Sequence, residues 1–251
     1  YSEDTKNFLI LVIIHEVGHN FFPMIVNSDE RQWSWMDEGL NSFLEGLTCL
    51  EWDRNFPAQG IEPQYIVEYM RIEPSKQNPI MSNSDNILPG TFGPNAYSKP
   101  ATGLNILRET VMGRELFDHA FKEYSRRWMF KHPSPADFFR TMEDASGMDL
   151  DWFWKGWFYG NGNIDLGISS VQPYGGNYLV NLVNKGDFPM PVLLEFTYED
   201  NSTERVKLPV EIWQRGDSWS YLHKTSKKVT KVVIDPDKVI TDINLGNDSW
   251  P

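Results

Sequence analysis

The chain is 251 residues long, enough for one large domain or two ordinary ones with substantial cores. A formal charge of −12 and a pI near 4.9 exclude the basic surface that nucleic acid requires and disfavour docking on anionic lipid. No run of about 18 apolar residues reads as a membrane span. The single cysteine, Cys49, cannot form an intrachain disulfide, so cysteine use leaves the compartment open.

Taken in order, residues 5–26 predict one helix, stopped at Asn27-Ser28-Asp29, with Leu9, Val12, Ile13 and Val17 marking it as deeply buried. A helix that starts so close to Tyr1 implies a further N-terminal portion of the protein. A second helix is expected over residues 34–54, with Leu40, Phe43, Leu44, Leu47 and Leu50 on its inner face and Cys49 as a small buried hydrophobe. Residues 57–63 read as a turn and 64–71 as a short helix. Residues 73–95 carry Pro74, Pro79, Pro89, Gly90 and Gly93 and read as a long ordered loop, of the kind that often binds ligands. Helices follow over 99–112, with Pro100 tolerated in the first turn, and over 114–130. The next opens at Ser134-Pro135-Ala136-Asp137, a cap with proline at the first helical position. The last covers 149–159, where Trp152, Trp154, Trp157 and Phe158 form an aromatic core stripe.

Beyond Ile164 the pattern changes to short β-branched segments, 178–183, 192–198, 205–210 and 229–234, separated by turn residues such as Gly175-Gly176 and Asp200-Asn201. Roughly seven strands imply a β-sandwich. The fold class is therefore α+β in two domains: a mainly helical domain over residues 1–163 and an all-β sandwich over 164–251. Asp235 and Asp237 read as turn formers.

The chemistry is carried by His15-Glu16-Val17-Gly18-His19. Histidines four apart stand on one helix face, where both imidazoles can reach one metal ion, while Glu16 points aside toward a water on that metal. Glu38 follows 19 positions after His19, on the second helix. Two histidines and a glutamate with one open position form a catalytic zinc set, so His15, His19 and Glu38 are the expected ligands of a single Zn2+ and Glu16 the expected general base. Asp37 and Glu45 compete with Glu38 for the third place. Asp37 points to a different helix face and could instead orient an imidazole; Glu45 lies two turns further along nearly the same face as Glu38. His119, His132 and His223 have no partner at metal spacing.

His15-Glu16-x-x-His19, the gap to Glu38 and the Trp35-x-Asp37-Glu38-Gly39 setting together resemble the aminopeptidase N family of gluzincin zinc metallopeptidases, which includes leukotriene-A hydrolase. That family also places a catalytic tyrosine ahead of a helix as Tyr-x-Lys-Gly, and Tyr97-Ser98-Lys99-Pro100 is similar. The resemblance implies a peptide substrate and a Tyr97 hydroxyl that steadies the oxyanion of the tetrahedral intermediate. It implies a helical catalytic domain followed by a β-sandwich, and an N-terminal domain packing on the catalytic one. The chain departs from the family at Phe21-Phe22-Pro23, where relatives have Trp-Phe-Gly, and at Pro100, where they have glycine. The Gly-x-Met-Glu-Asn segment that holds a substrate's amino group in relatives is absent from these residues, which leaves exopeptidase and endopeptidase action both open. A periplasmic or secreted location is favoured over the cytoplasm. The competing readings are a noncatalytic scaffold stabilised by zinc and a zinc hydrolase of a non-peptide substrate.

Overall fold

Helix-forming sequence fills the first part of the chain and strand-forming sequence the rest. The computed structural model, which describes residues 2–57 and 59–251, separates accordingly into two units, Tyr1–Asn161 and Gly162–Pro251.

In the first unit, α1 (Glu3–Gly18) is capped by Ser2, whose hydroxyl accepts from the Thr5 N–H. It ends eight residues before the expected Val26. Pro23 has no N–H to continue the ladder, and the backbone turns tightly instead, with Phe21 N bonded to Gly18 O and Val26 N to Phe21 O. Nor is α1 deeply buried: none of its residues is, and Leu9, Ile13 and Val17 are at least half exposed. Apolar sequence buries a helix only where partners cover its faces, and among the described residues the helix packed along α1 is α2 (Glu38–Trp52).

The expected second helix is interrupted. A short 3₁₀ turn, Ser34–Met36, breaks at Asp37 before α2 begins. The deepest face of α2 carries Leu40, Phe43, Glu45, Gly46 and Cys49, whereas Leu44, Leu47 and Leu50 are only half-buried. Polar Asn41, Ser42 and Glu45 are buried here, which a hydrophobicity pattern cannot anticipate.

The short helix expected over 64–71 is a 3₁₀ turn, Pro63–Ile66, running into α3 (Val67–Met70). A wide π-turn, Pro94–Ser98, leads into α4 (Lys99–Ile106), which loosens again into a π-turn, Leu107–Val111. Next come α5 (Arg114–Trp128) and α6 (Pro135–Ser146); α6 has a reciprocal capping box between Ser134 and Asp137. The last is α7 (Asp151–Phe153), continued by a π-turn through Phe158. The aromatic segment is core, as its composition suggests: Trp154, Trp157 and Phe158 are buried. Trp35 packs edge-on against Phe158 at 4.9 Å and stacks on Phe139 at 5.8 Å, which anchors the approach to α2.

The second unit holds seven strands: β1 (Leu166–Tyr174), β2 (Asn177–Asn184), β3 (Val192–Tyr198), β4 (Thr203–Leu208), β5 (Ser218–His223), β6 (Val229–Ile234) and β7 (Ser249–Trp250). They form two antiparallel sheets, ordered β1-β2-β5 and β4-β3-β6-β7. Along β3 burial alternates strictly, with Val192, Leu194, Phe196 and Tyr198 inward. Phe196 of one sheet stacks on His223 of the other at 3.7 Å, so the sheets face each other as a sandwich. The expected strand over 205–210 instead ends at Leu208, because Pro209 cannot donate to the ladder. Asp235 is a turn former: its carboxylate accepts from the Val239 and Ile240 N–H groups. No helix among the described residues is long and apolar enough to cross a membrane.

Candidate metal centre

Three side chains converge, from α1, from the residue capping its C-terminus and from the start of α2. His15 Nε2 lies 3.1 Å from His19 Nε2 and 3.1 Å from Glu38 Oε2, and His19 Nε2 is 3.3 Å from that same oxygen. All three are partly buried, and their ligand atoms fall within 4.8 Å of one another.

The remaining ring nitrogens fix the tautomers. His19 Nδ1 donates to the Phe22 carbonyl at 2.9 Å, an arrangement available only because α1 stops early and the chain doubles back. His15 Nδ1 donates to Glu45 Oε2 at 2.6 Å. A neutral imidazole with its proton on Nδ1 presents a lone pair at Nε2. A proton on His15 Nε2 satisfies the contact with Glu38, and a metal cation that displaced it would meet two Nε2 lone pairs and a carboxylate oxygen. The donor set, two neutral imidazoles and one carboxylate, fits zinc with an open coordination position.

Helix packing sets this convergence. Asn41 Nδ2 donates to the His15 carbonyl at 2.8 Å, and a Cβ on Gly18 would lie 2.0 Å from Asn41 Oδ1. A side chain at position 18 would therefore displace the Asn41 amide from the His15 carbonyl, one residue before His19.

Asp37 does not take the orienting role open to it. Its Oδ1 is 2.9 Å from His19 Nδ1, yet that oxygen has no hydrogen-bond partner, because the N–H is directed at Phe22. Burial, the Glu38 charge and a hydrogen bond with Glu30 push the Asp37 carboxyl up to about 8. Glu45, considered from sequence only as a rival to Glu38, is instead the carboxylate behind His15. Its position seven residues after Glu38 was the available signal, since two helical turns return a side chain to the same face.

Tyr97 reaches the centre from the π-turn before α4. Its hydroxyl donates to Glu38 Oε1 at 2.5 Å, and its ring stacks 5.8 Å from that of His15. Burial and the adjacent Glu38 push the phenol above its ordinary value, so it stays protonated and able to donate. Glu38 is held below its ordinary value: burial opposes ionisation, but the hydrogen bonds from His15 and Tyr97 outweigh it. Glu16 is exposed and faces a cavity of about 340 Å³ that Tyr97, Phe8, Val12 and Tyr65 also line. Of the five residues singled out in the sequence, His15, Glu16 and Tyr97 line this cavity, and His19 and Glu38 lie beside His15. Among the other histidines, His132 bonds the Asn27 carbonyl at the surface and His223 bonds Tyr198 in the β-sandwich.

A helical unit with His-Glu-x-x-His on one helix and Glu38 on the next, followed by a β-sandwich, defines a class of metal-dependent hydrolases. The peptidase family M1 domain matches residues 1–157, and the chain belongs to that family. It is 24% identical over 241 residues to a glutamyl aminopeptidase of Bitis rhinoceros, covering 93% of this chain and 24% of that protein. It is 26% identical over 151 residues to an aminopeptidase N of Plutella xylostella, covering 56% and 15% respectively. The fold is that of the Legionella pneumophila aminopeptidase A solved in complex with aspartic acid, with a TM-score of 0.66 at 13% identity over 92% of this chain and 26% of that one. The chain thus spans about a quarter or less of the length of these relatives.

Proposed function

We propose that this chain carries the catalytic centre of a zinc-dependent metallopeptidase acting on peptides as an aminopeptidase. The observation that carries the reading is the convergence of His15 Nε2, His19 Nε2 and Glu38 Oε2 with both Nδ1 atoms already engaged. These three residues would hold one zinc ion. When bound, zinc supplies Lewis-acid polarisation and makes water acidic enough to ionise near neutral pH.

The chain's own residues do the rest. Glu16, on the exposed side of α1, takes a proton from the attacking water and delivers it to the leaving amine. Tyr97 keeps its proton and donates a hydrogen bond to the oxygen that gains charge in the tetrahedral intermediate. Phe8 and Val12 give the cavity an apolar wall beside those groups. Aminopeptidase action is supported by the names of the relatives. The exposed apolar side chains of α1, Phe8, Leu9, Ile13 and Val17, are the surface on which a further domain would pack.

The test is Glu16→Gln, assayed for zinc content and for hydrolysis of fluorogenic aminoacyl amides. Zinc stays bound and turnover falls by roughly 10²–10⁴-fold. A variant that cleaves at the wild-type rate would overturn the mechanism.

A further inference from the structure

Lys99 sits two residues from Tyr97 and has no part in the chemistry above. Its side chain is entirely buried, its ammonium donates to the Gly160 carbonyl at 3.1 Å, and it lies 5.9 Å over the Trp157 ring. Among the described residues no carboxylate lies within ion-pair reach of it, and burial alone pushes its pKa down to about 8. An ammonium buried without a counter-charge is costly, and methionine or leucine would fill the same space without that cost.

We propose that Lys99 is a positioning residue for Tyr97, locking the turn that aims the phenol at Glu38; this rests on the role given to Tyr97 above. Three links converge on Lys99. Its backbone N–H donates to the Pro94 carbonyl and so closes the π-turn that contains Tyr97. Its carbonyl accepts from Trp157 Nε1 at 2.8 Å. Its ammonium holds Gly160, three residues past that tryptophan. The Trp157 ring is itself immobilised against Gly103, where a Cβ would lie 2.2 Å from Nε1. On the other side of Tyr97, the buried Asn95 side chain donates to the carbonyls of Asn78 and Pro79 at 2.9 and 3.0 Å. Tyr97 is therefore strung between two anchors, and Lys99 is the one tied to the aromatic core. The two backbone links survive any substitution at 99 except proline, so the side chain acts through Gly160. Losing that bond loosens the anchor, and a displacement of the phenol by about 1 Å costs on the order of 10²-fold in rate.

The experiment is a double-mutant cycle in the full-length protein, with Lys99→Met and Lys99→Gln each made in the wild-type and Tyr97→Phe backgrounds. Turnover and KM are measured on an aminoacyl amide, with zinc content and far-ultraviolet circular dichroism alongside. Each Lys99 variant lowers kcat by about tenfold or more in the wild-type background, leaves KM within about twofold and keeps its zinc. In the Tyr97→Phe background it costs nothing further. Equal losses in both backgrounds, or no loss in either, overturn the inference while leaving the role of Tyr97 intact. Failure of both Lys99 variants to fold overturns it too, since Lys99 would then serve the core alone. A Tyr97→Phe protein with wild-type kcat would remove the role of Tyr97 itself and this inference with it.

Discussion

Glu45 Oε2 and Glu38 Oε2 bracket His15: the first lies 2.6 Å from Nδ1 and the second 3.1 Å from Nε2. Both carboxylates come from one face of α2, two turns apart, so a single helix orients the imidazole and supplies the proposed ligand beside it. A carboxylate behind a metal-binding histidine fixes its tautomer and raises its basicity. Glu45→Ala should weaken zinc affinity by roughly 10–100-fold in a chelator competition. Glu45→Gln, whose amide oxygen can still accept from Nδ1, should lose less. Equal affinity in wild type and Glu45→Ala would show that His15 needs no such support.

The same bracketing makes metal binding pH-dependent. Hydrogen bonds to Glu38 and then Glu45 push the His15 imidazole up to about 10, against the opposing effect of burial. A group raised in this way holds its proton through neutral pH, and a cation at Nε2 must displace it. Zinc loading at about pH 7 should therefore release about one proton, and apparent affinity should climb as pH rises toward 10. Titration calorimetry in buffers of different ionisation enthalpy reads the proton count directly. Heats that do not change with buffer would contradict it.

Gly39, next to Glu38, is required by packing. A Cβ there would lie 2.6 and 2.7 Å from the Pro100 ring and 3.0 Å from the Ala96 carbonyl. Those neighbours are a rigid ring and backbone, so neither can yield cheaply. Gly39→Ala should cost about 1–3 kcal/mol of stability. Because the displaced segment also carries Tyr97, kcat should fall as well. A melting temperature and a kcat both equal to wild type would show that α2 and α4 are not held at this distance.

Much of this was legible in the sequence because it depends on short-range periodicity. The spacing of His15 and His19 is a property of one helical turn, and the strands 192–198 and 229–234 follow from β-branched runs between turns. The exposure of α1 was not legible, since an apolar helix reads the same whether or not another element covers it. The roles of Glu45 and Lys99 were not legible for a related reason. A carboxylate in a helix and a lysine at a helix start are ordinary surface residues by composition, and only the tertiary fold buries them. Gly18 and Gly39 carried a weak cue, each standing beside a proposed ligand, but the atoms that exclude a side chain there come from distant segments.

The β-sandwich carries its own pH dependence through Asp248. This residue is buried, its Oδ1 has no hydrogen-bond partner, and burial followed by repulsion from Asp242, Asp235 and Asp165 pushes its carboxyl up to about 7. Asp242 is likewise pushed up to about 6, chiefly by burial. A carboxyl whose folded-state pKa exceeds its unfolded value binds protons more tightly in the folded chain. Its stabilising contribution is complete below the unfolded value near 4 and is lost as pH rises through the folded one. Asp248→Asn removes the charge and nearly preserves the shape. The variant should be more stable than wild type by about 1–3 kcal/mol at pH 8, with the advantage vanishing near pH 4. Urea denaturation across that range measures the difference directly, and taking it against the variant cancels the titrating groups that do not interact with Asp248. An advantage that stayed constant from pH 4 to 8 would mean that Asp248 ionises freely in the folded sandwich, despite the three carboxylates around it.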